Sequence, residues 1–523
     1  MAVVMPDEQH KFIVSIMYRI FIYLLILCTT VSVSAENLVI LHTNDTHSQI
    51  DPDSDGRGGV LRRKAIIDSI RVAEPNVLLV DAGDAFQGTP YFNLFGGIVE
   101  CEAIHRMGYD IQILGNHEFD NGIDSLARVY GKVEGVARLS SNYVLDSTPL
   151  KSLFEQYIIK EYCGRRIGVI ALNLIPSGMI ADANCKGVVY RDAIAVGDSL
   201  AGALKKNERV DYVVALTHIG YTAKPGLPSD VLLAKNSRNI DLIIGGHSHT
   251  TINPGDAKCP ECVFNNADGR KVVVCQAGGS GKLIGCVKLN LDDFSVSNSL
   301  MPVDKRYDDR VDSCLNSFLA PYREKVDSLM NNTIIVSEIA IARRTVLASN
   351  FISDLAMNLT QPVYGSKVDL VIMNVGGMRR DVPSGDVSEG LVKAMFPFDN
   401  KLQVLEIRGD KLIAAFAVMA GRGGDSVSHG VKVIYDGNGK IVSAKLNGKK
   451  IKKNKKYKLL TLDYLANGGD YMEPLKSGKR IFSDTMKFGD RVLDYLKSLG
   501  ADGGKISVSD ELRMEKIECQ ICD

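Results

Sequence analysis

Along the first half of the chain, short runs of apolar residues recur, and each stops at polar residues able to bind a metal. Leu38-Val39-Ile40-Leu41 leads into Asp45-Thr46-His47, and Val77-Leu78-Leu79-Val80 leads into Gly83-Asp84. Ile111-Gln112-Ile113-Leu114 leads into Gly115-Asn116-His117-Glu118. Tyr212-Val213-Val214-Ala215-Leu216 leads into Thr217-His218, and Leu242-Ile243-Ile244 into Gly245-Gly246-His247-Ser248-His249. Apolar runs of this length, with helical stretches between them, predict buried strands of an α/β sheet. Ligands bind such sheets just beyond the carboxyl ends of the strands. Five strand ends therefore deliver Asp, His and Asn to one rim, the pattern of a metal centre.

The candidates are Asp45, His47, Asp84, Asn116, His218, His247 and His249, too many for one four-coordinate ion. They suit two divalent ions about 3.5–4 Å apart with one bridging carboxylate. Asp84, alone on its strand end, is the expected bridge. Asp45, His47 and His249 complete one site, and Asn116, His218 and His247 the other. Two such ions and two carboxylates leave a charge of about +2, which favours an anion such as phosphate. His117 follows Asn116 directly, and Asp120 stands where it can hold the imidazole oriented and charged. An imidazolium there would stabilise negative charge and protonate a leaving oxygen. The alternative reading of Asp120 is a helix N-cap alone.

In that order, these segments resemble the calcineurin-like metallophosphoesterases, and more narrowly the 5′-nucleotidase and UDP-sugar hydrolase family. Leu41-His42-Thr43-Asn44-Asp45-Thr46-His47 is especially close to the family's first segment. His249 departs from members that carry Gln or Asn there. The resemblance implies an aspartate-bridged dimetal site, with Zn or Mn as the expected ions, and the His117–Asp120 pair. It also implies a four-layer αββα metallophosphoesterase domain, joined by a linking helix to a second α/β nucleotide-binding domain.

At 523 residues the chain exceeds what one core usually supports. A charged stretch at helical spacing, from 308 to 330, reads as the link, with Pro321 expected to bend or break it. The expected division is a signal peptide at 1–35, the catalytic domain at 36–305, the linking helix at 306–335 and the substrate domain at 336–523. In the second half, Val368-Asp369-Leu370-Val371-Ile372-Met373 reads as a strand running into Asn374-Val375-Gly376-Gly377-Met378-Arg379. That segment is similar to the family's Asn-x-Gly-Gly-x-Arg turn, where Asn374, Gly376 and Gly377 bring backbone close to substrate and Arg379 binds phosphate. Asp463-Tyr464-Leu465-Ala466-Asn467-Gly468-Gly469-Asp470 resembles the family's aromatic-plus-Asn-Gly-Gly-Asp segment. The resemblance implies that Tyr464 stacks on the base and Asp470 accepts hydrogen bonds from the ribose. A second phosphate-binding arginine falls on Arg344, with Arg343 as its rival. A second base-stacking aromatic is expected just before Val431-Lys432-Val433-Ile434-Tyr435, but that neighbourhood holds no Phe or Tyr. His429 would substitute, or the base would stack on one face only.

Lys+Arg and Asp+Glu are equal at 62 each, so nothing in the balance points to a nucleic-acid polymer or an acidic membrane. The lysine-rich residues 449–458 follow Asn447-Gly448, a hairpin signal, and read as a solvated turn. Lys11 and Arg19 precede an apolar run at 20–27, and Val33-Ser34-Ala35 offers a cleavage site. This predicts export to a periplasmic, cell-surface or secreted location, with Met17 as an alternative start. A tether through the apolar run or Cys28 is the less favoured reading. Eleven cysteines fit an exported protein. Of these, Cys259, Cys262 and Cys275 are candidates for a disulfide in the region where the family has one, and Cys519-x-x-Cys522 is a second pair. No stable protein partner is implied.

The expected function is release of phosphate from nucleoside 5′-monophosphates, with UDP-sugar hydrolysis as a companion activity. A 2′,3′-cyclic phosphodiesterase with 3′-nucleotidase activity is the enzymatic alternative. A surface binding protein with structural metals is the alternative of another class.

Overall fold

The computed structural model describes residues 36–224 and 226–517; the expected export signal, Cys28, Cys519 and Cys522 lie outside them. Two six-stranded sheets face each other in the first part of the chain. One runs Val296–Pro302, Leu283–Asn290, Asn37–Thr43, Val77–Asp81, Ile111–Ile113, Ala137–Leu139. The other runs Val263–Asn265, Lys271–Cys275, Leu242–Ile244, Tyr212–His218, Arg165–Asn173, Tyr157–Tyr162. The five strands that lead to the rim are paired in parallel with their neighbours within each sheet, so their carboxyl ends share one edge.

The apolar runs do not alternate because both faces of each strand are buried. Leu38, Ile40, Leu78 and Val80 pack between the sheets against Val214, Leu216, Leu242 and Ile244. Val39, Leu41 and Leu79 face the helices outside the first sheet, while Val213, Ala215 and Ile243 face those outside the second. The result is a four-layer αββα sandwich. Each fully buried aliphatic side chain contributes about 1.5–3 kcal/mol, so the strand bodies are anchored and their ends held in place. A buried hydrogen bond from Thr43 Oγ1 to Asp81 Oδ2 (2.7 Å) ties two of those ends together.

The link is a continuous helix, Ser313–Met330, capped by Asp312 accepting from Leu315 N at 2.7 Å. Pro321 lies inside it without ending it. Leu315, Leu319 and Val326 are buried in the first domain's core, and Arg323 Nε donates to Asp51 at 2.7 Å. The helix therefore travels with the first domain, and the chain passes to the second at Asn331-Asn332.

The second domain has one core. Its central sheet runs Ser426–Val427, Leu370–Met373, Lys456–Leu462, Lys401–Arg408, Lys479–Lys487, with helices Val346–Tyr364, Gly409–Ala420 and Phe488–Ala501 in the same domain. Asn447 and Gly448, at φ 48° and 74°, make the tight turn between Ile441–Leu446 and Lys449–Lys450. Among the described residues no helix is long and apolar enough to cross a membrane.

Candidate metal centre and substrate cleft

Five of the seven metal-ligand candidates sit in the left-handed backbone region, with Asp45, His47, Asp84, His247 and His249 at φ 50°, 46°, 56°, 74° and 51°. Non-glycine residues seldom adopt it, and such strain concentrates at functional sites. The surrounding loops are packed tightly enough to impose it. A Cβ on Gly83 would stand 2.7 Å from Gly115 N, and one on Gly115 would collide with Asp84 Oδ1. Only glycines let the second and third strand ends approach this closely. Glu118 then clamps the two loops: its carboxylate accepts from Gly115 N (2.5 Å), Ala85 N (2.8 Å) and Asp84 N (3.1 Å).

The donor atoms fall into overlapping groups, each spanning at most 4.8 Å: Asp45, His47 and His249; Asp84, His218 and His247; and His47, Asp84 and His117. Asn116 Oδ1 lies 3.0 Å from His247 Nδ1. The imidazole orientations suit cations. His47 Nδ1 points at the carbonyls of Gln87 (3.1 Å) and Phe86 (3.3 Å), which turns Nε2 toward His249 Nε2, 3.0 Å away. His218 Nδ1 donates to Ala82 O at 2.7 Å. Its buried Nε2 makes no hydrogen bond, and it faces Asp84 Oδ2 at 3.1 Å and Asp45 Oδ1 at 3.9 Å. Burial pushes the Asp45 carboxyl up to about 8, with Asp84 adding to the shift and His218 opposing it. Converging lone pairs, an orphaned imidazole nitrogen and two buried carboxylates make a donor set that fits two divalent ions. The same N/O chemistry accepts several metals.

At the mouth, His117 Nδ1 and Asp120 Oδ2 are 2.8 Å apart. Burial lowers the His117 pKa, but Asp120 and Asp84 outweigh it and the value is raised. Asp84 Oδ1 also accepts from His117 N at 2.8 Å, which couples the histidine to the metal loops.

The second domain closes over this rim. Arg379, on the turn after Leu370–Met373, is near enough for its charge to act on His47, His117 and His249. Burial chiefly, with Arg343 and Arg344 nearby, holds its guanidinium pKa below the usual value. Arg344 itself is exposed at φ 61°, whereas Arg343 pairs with Asp381 at 3.2 Å and donates to Arg379 O. Asn374 Nδ2 donates to Asp470 Oδ2 (2.9 Å), and Tyr464 OH lies 3.1 Å from Asp470 Oδ1. Gly377 lines a crevice with Asn374, Phe398 and Asn400, while Gly376 is exposed with open space around it. The turn of Tyr464 and Asp470 touches the first domain, because Tyr464 OH and Asp470 N both lie 3.2 Å from Gly178 O.

No Phe or Tyr stands at 422–429, but an aromatic from another turn of the second domain faces the rim. Phe398 lies nearly parallel to the His117 ring, 6.2 Å between centroids, and 5.9 Å from Arg379 Cζ. The Asp463 carboxylate accepts from Lys401 N at 3.0 Å, which draws the Phe398 loop beside the Tyr464 turn. The available signal was Phe396-Pro397-Phe398-Asp399-Asn400, an aromatic turn just ahead of a strand. His429 has a side chain 79% exposed and pairs with Glu511 instead. Near the cysteines, Val263–Asn265 pairs with Lys271–Cys275 and sets Cys262 O against Val274 N (2.8 Å); Cys259, Cys262 and Cys275 are thiols.

Comparison with known proteins agrees with this architecture. Residues 38–251 match the calcineurin-like phosphoesterase family, and residues 332–477 match the 5′-nucleotidase C-terminal domain. The chain is similar to the 5′-nucleotidase of Rattus norvegicus, 28% identical over 492 residues that cover 84% of each protein. It is 27% identical over 507 residues to the 5′-nucleotidase of Vibrio parahaemolyticus, covering 88% of this chain and 89% of that one. Among solved structures, the 5′-nucleotidase precursor from Thermus thermophilus superposes with a TM-score of 0.80 at 27% identity, over 92% of this chain and 99% of that one.

Proposed function

The chain belongs to the 5′-nucleotidase family of metallophosphoesterases and is a metal-dependent phosphoric monoester hydrolase; we propose that its substrates are nucleoside 5′-monophosphates. The observation that carries this reading is the contact across the cleft. Phe398 and Arg379 of the second domain stand against His117 of the metal rim, with Tyr464 and Asp470 on the adjoining turn. A nucleoside held on the second domain thereby has its 5′ side turned toward the metals.

Asp45, His47 and His249 would hold one ion and Asn116, His218 and His247 the other, with Asp84 between them. When bound, the two ions supply Lewis acidity and an activated water for displacement at phosphorus. The protein's own groups do the rest. Arg379 and Arg344 bind phosphoryl oxygens, Arg379 from within the cleft and Arg344 from its edge. His117, oriented by Asp120, donates to the phosphoryl group and then to the departing 5′ oxygen. Phe398 and Tyr464 present aromatic faces to the base, and Asp470 accepts from the ribose hydroxyls while Asn374 holds its other side. Binding energy from base and sugar thus positions the ester, which a small phosphate ester cannot match. We infer from the expected leader, with its cleavage site at Val33-Ser34-Ala35, that this chemistry serves nucleotide scavenging outside the cytoplasm; a mature amino terminus at Glu36 is the corresponding check.

Phosphate release by the metal-depleted, then reconstituted protein tests the reading on 5′-AMP, 3′-AMP, UDP-glucose and 2′,3′-cyclic AMP. Metal-dependent release from 5′-AMP is expected, and UDP-glucose reports the companion activity. Turnover of 2′,3′-cyclic AMP and 3′-AMP in place of 5′-AMP would assign the cyclic phosphodiesterase instead. Silence on all four with metals bound would leave a binding protein.

A further inference from the structure

We propose that Arg422 is a positioning residue for Asp470, and that through it the Arg422–Asp425 ion pair sets how strongly the enzyme selects substrates by their ribose hydroxyls. This rests on the reading above, in which Asp470 meets the sugar.

Arg422 lies on the turn that follows the helix Gly409–Ala420, and its fork reaches two different loops. Nη2 donates to Asp425 Oδ2 at 2.6 Å, and Nη1 donates to the Asp470 main-chain oxygen at 2.5 Å. Nη1 also lies 3.7 Å from Asp470 Oδ2. The two paired side chains, Arg422 and Asp425, are only 18% and 6% exposed, so solvent does little to screen the pair. Asp425 Oδ1 in turn accepts from Val375 N at 2.7 Å. Val375 follows Asn374, whose amide holds Asp470 Oδ2 at 2.9 Å. Arg422 therefore fixes Asp470 twice: directly at its carbonyl, and through Asp425 and the 374–375 turn at its carboxylate.

Asp470 needs such support. It and Tyr471 are consecutive non-glycine residues at φ 54° and 63°. That conformation persists only where surrounding contacts hold it. Tyr464 OH occupies one position on Oδ1 and Asn374 one on Oδ2. Each oxygen keeps a free lone pair, the acceptor pattern a vicinal diol requires. Arg422 also stands between two carboxylates, Asp425 and Asp470, that would otherwise repel each other. A lysine keeps the charge but not the fork that serves two acceptors at once.

The test compares kcat/KM for AMP and 2′,3′-dideoxy-AMP in the metal-loaded full chain and its Arg422→Lys, Arg422→Ala and Asp470→Asn variants. Losing hydrogen bonds to a charged acceptor should cost the wild type about 10- to 100-fold on the dideoxy substrate. Both Arg422 variants should shrink that ratio to within about 3-fold, mainly through KM for AMP, and so should Asp470→Asn. Reading a ratio keeps a general loss of activity from imitating the effect, and Arg422→Lys retains the buried charge should Arg422→Ala fail to fold. Discrimination lost in Asp470→Asn but kept in the Arg422 variants would overturn the role of Arg422 alone. Equal rates on both substrates in the wild type would overturn the Asp470 assignment and this proposal with it.

Discussion

The rim of the first domain and the substrate face of the second are built on opposite plans. Asp45, His47, Asp84, Asn116 and His218 are 0–6% exposed and sit where buried strands end. On the second domain, Arg344 and Gly376 are exposed, while Tyr464 and Asp470 are only half-buried, on turns held by side-chain hydrogen bonds. Metal chemistry tolerates little displacement of its ligands, so those ligands stand at or just beyond the ends of buried strands. Recognition of a base and sugar needs faces and acceptors in a cleft between domains, and turns of the second domain, set against the first at Gly178, present them.

The comparison breaks most sharply at Asp84, the carboxylate that stands between the two halves of the rim. Asp84→Ala should lower turnover by about 1,000-fold or more on every phosphate ester, nucleotide or not. Metal titration by calorimetry should show one ion or both lost. A variant that kept two tight ions would remove Asp84 from the bridge.

His117 tests the same rim without removing any of its seven candidate ligands. His117→Ala should reduce kcat by about 100-fold while metal binding stays intact, since the imidazole acts on the phosphoryl group and the leaving oxygen. An unchanged kcat would reduce the His117–Asp120 pair to packing.

The same contrast explains what could be read in the chain beforehand. Strands buried on both faces print as uninterrupted apolar runs, and their ligands follow within a few residues, so the rim was legible from 38 to 249. The left-handed φ of Asp45, His47 and Asp84 was not, because it follows from the approach of Gly83 and Gly115 across two loops. Glu118 read as part of a metal segment, yet its carboxylate serves backbone amides. Pro321 read as a bend or a break in the helix, and it does not break it: the helix continues through, packed on the first domain by Leu315, Leu319 and Val326. Phe398 stood in a visible aromatic turn, but its place in the cleft was not legible, for a different reason. Its proposed role depends on facing His117 from another domain, and no local periodicity records a partner that far away along the chain. The Arg422–Asp425–Asp470 connection is likewise made of contacts between turns.

Phe398 therefore sharpens the comparison at intermediate scale. Stacking a base on an aromatic contributes about 1–3 kcal/mol, so Phe398→Ala and Tyr464→Ala should each raise KM for 5′-AMP by about 10-fold or more. A small alkyl phosphate, which has no base to stack, should respond far less to either change. Equal losses on both esters would mean that Phe398 supports His117 and not the substrate.

The smallest effect concerns how the second domain is held to the link. Glu389 sits in the first turn of the helix Glu389–Met395, accepts from Asn332 Nδ2 at 3.0 Å, and pairs with Lys497 at 2.8 Å and Lys393 at 2.9 Å. Hydrogen bonds from Lys497 and Lys393 hold its pKa down from 4.5 to about 2. A depressed carboxyl pKa stabilises the fold above the unfolded value, and the contribution disappears as pH falls from about 4.5 through about 2. Its lysine partners are 31% and 41% exposed, so screening limits the contribution to about 1 kcal/mol. Glu389→Gln should lower the second domain's melting temperature by about 2–4 °C at pH 7, and the difference should vanish near pH 2. The first domain's transition should move less, because its hydrogen bond to this helix, from Asn93 Nδ2 to Lys393 O at 2.7 Å, does not use the Glu389 carboxylate. A shift that persisted undiminished to pH 2 would show that Glu389 acts through packing, and the ionic account of how the substrate domain meets the link would fail.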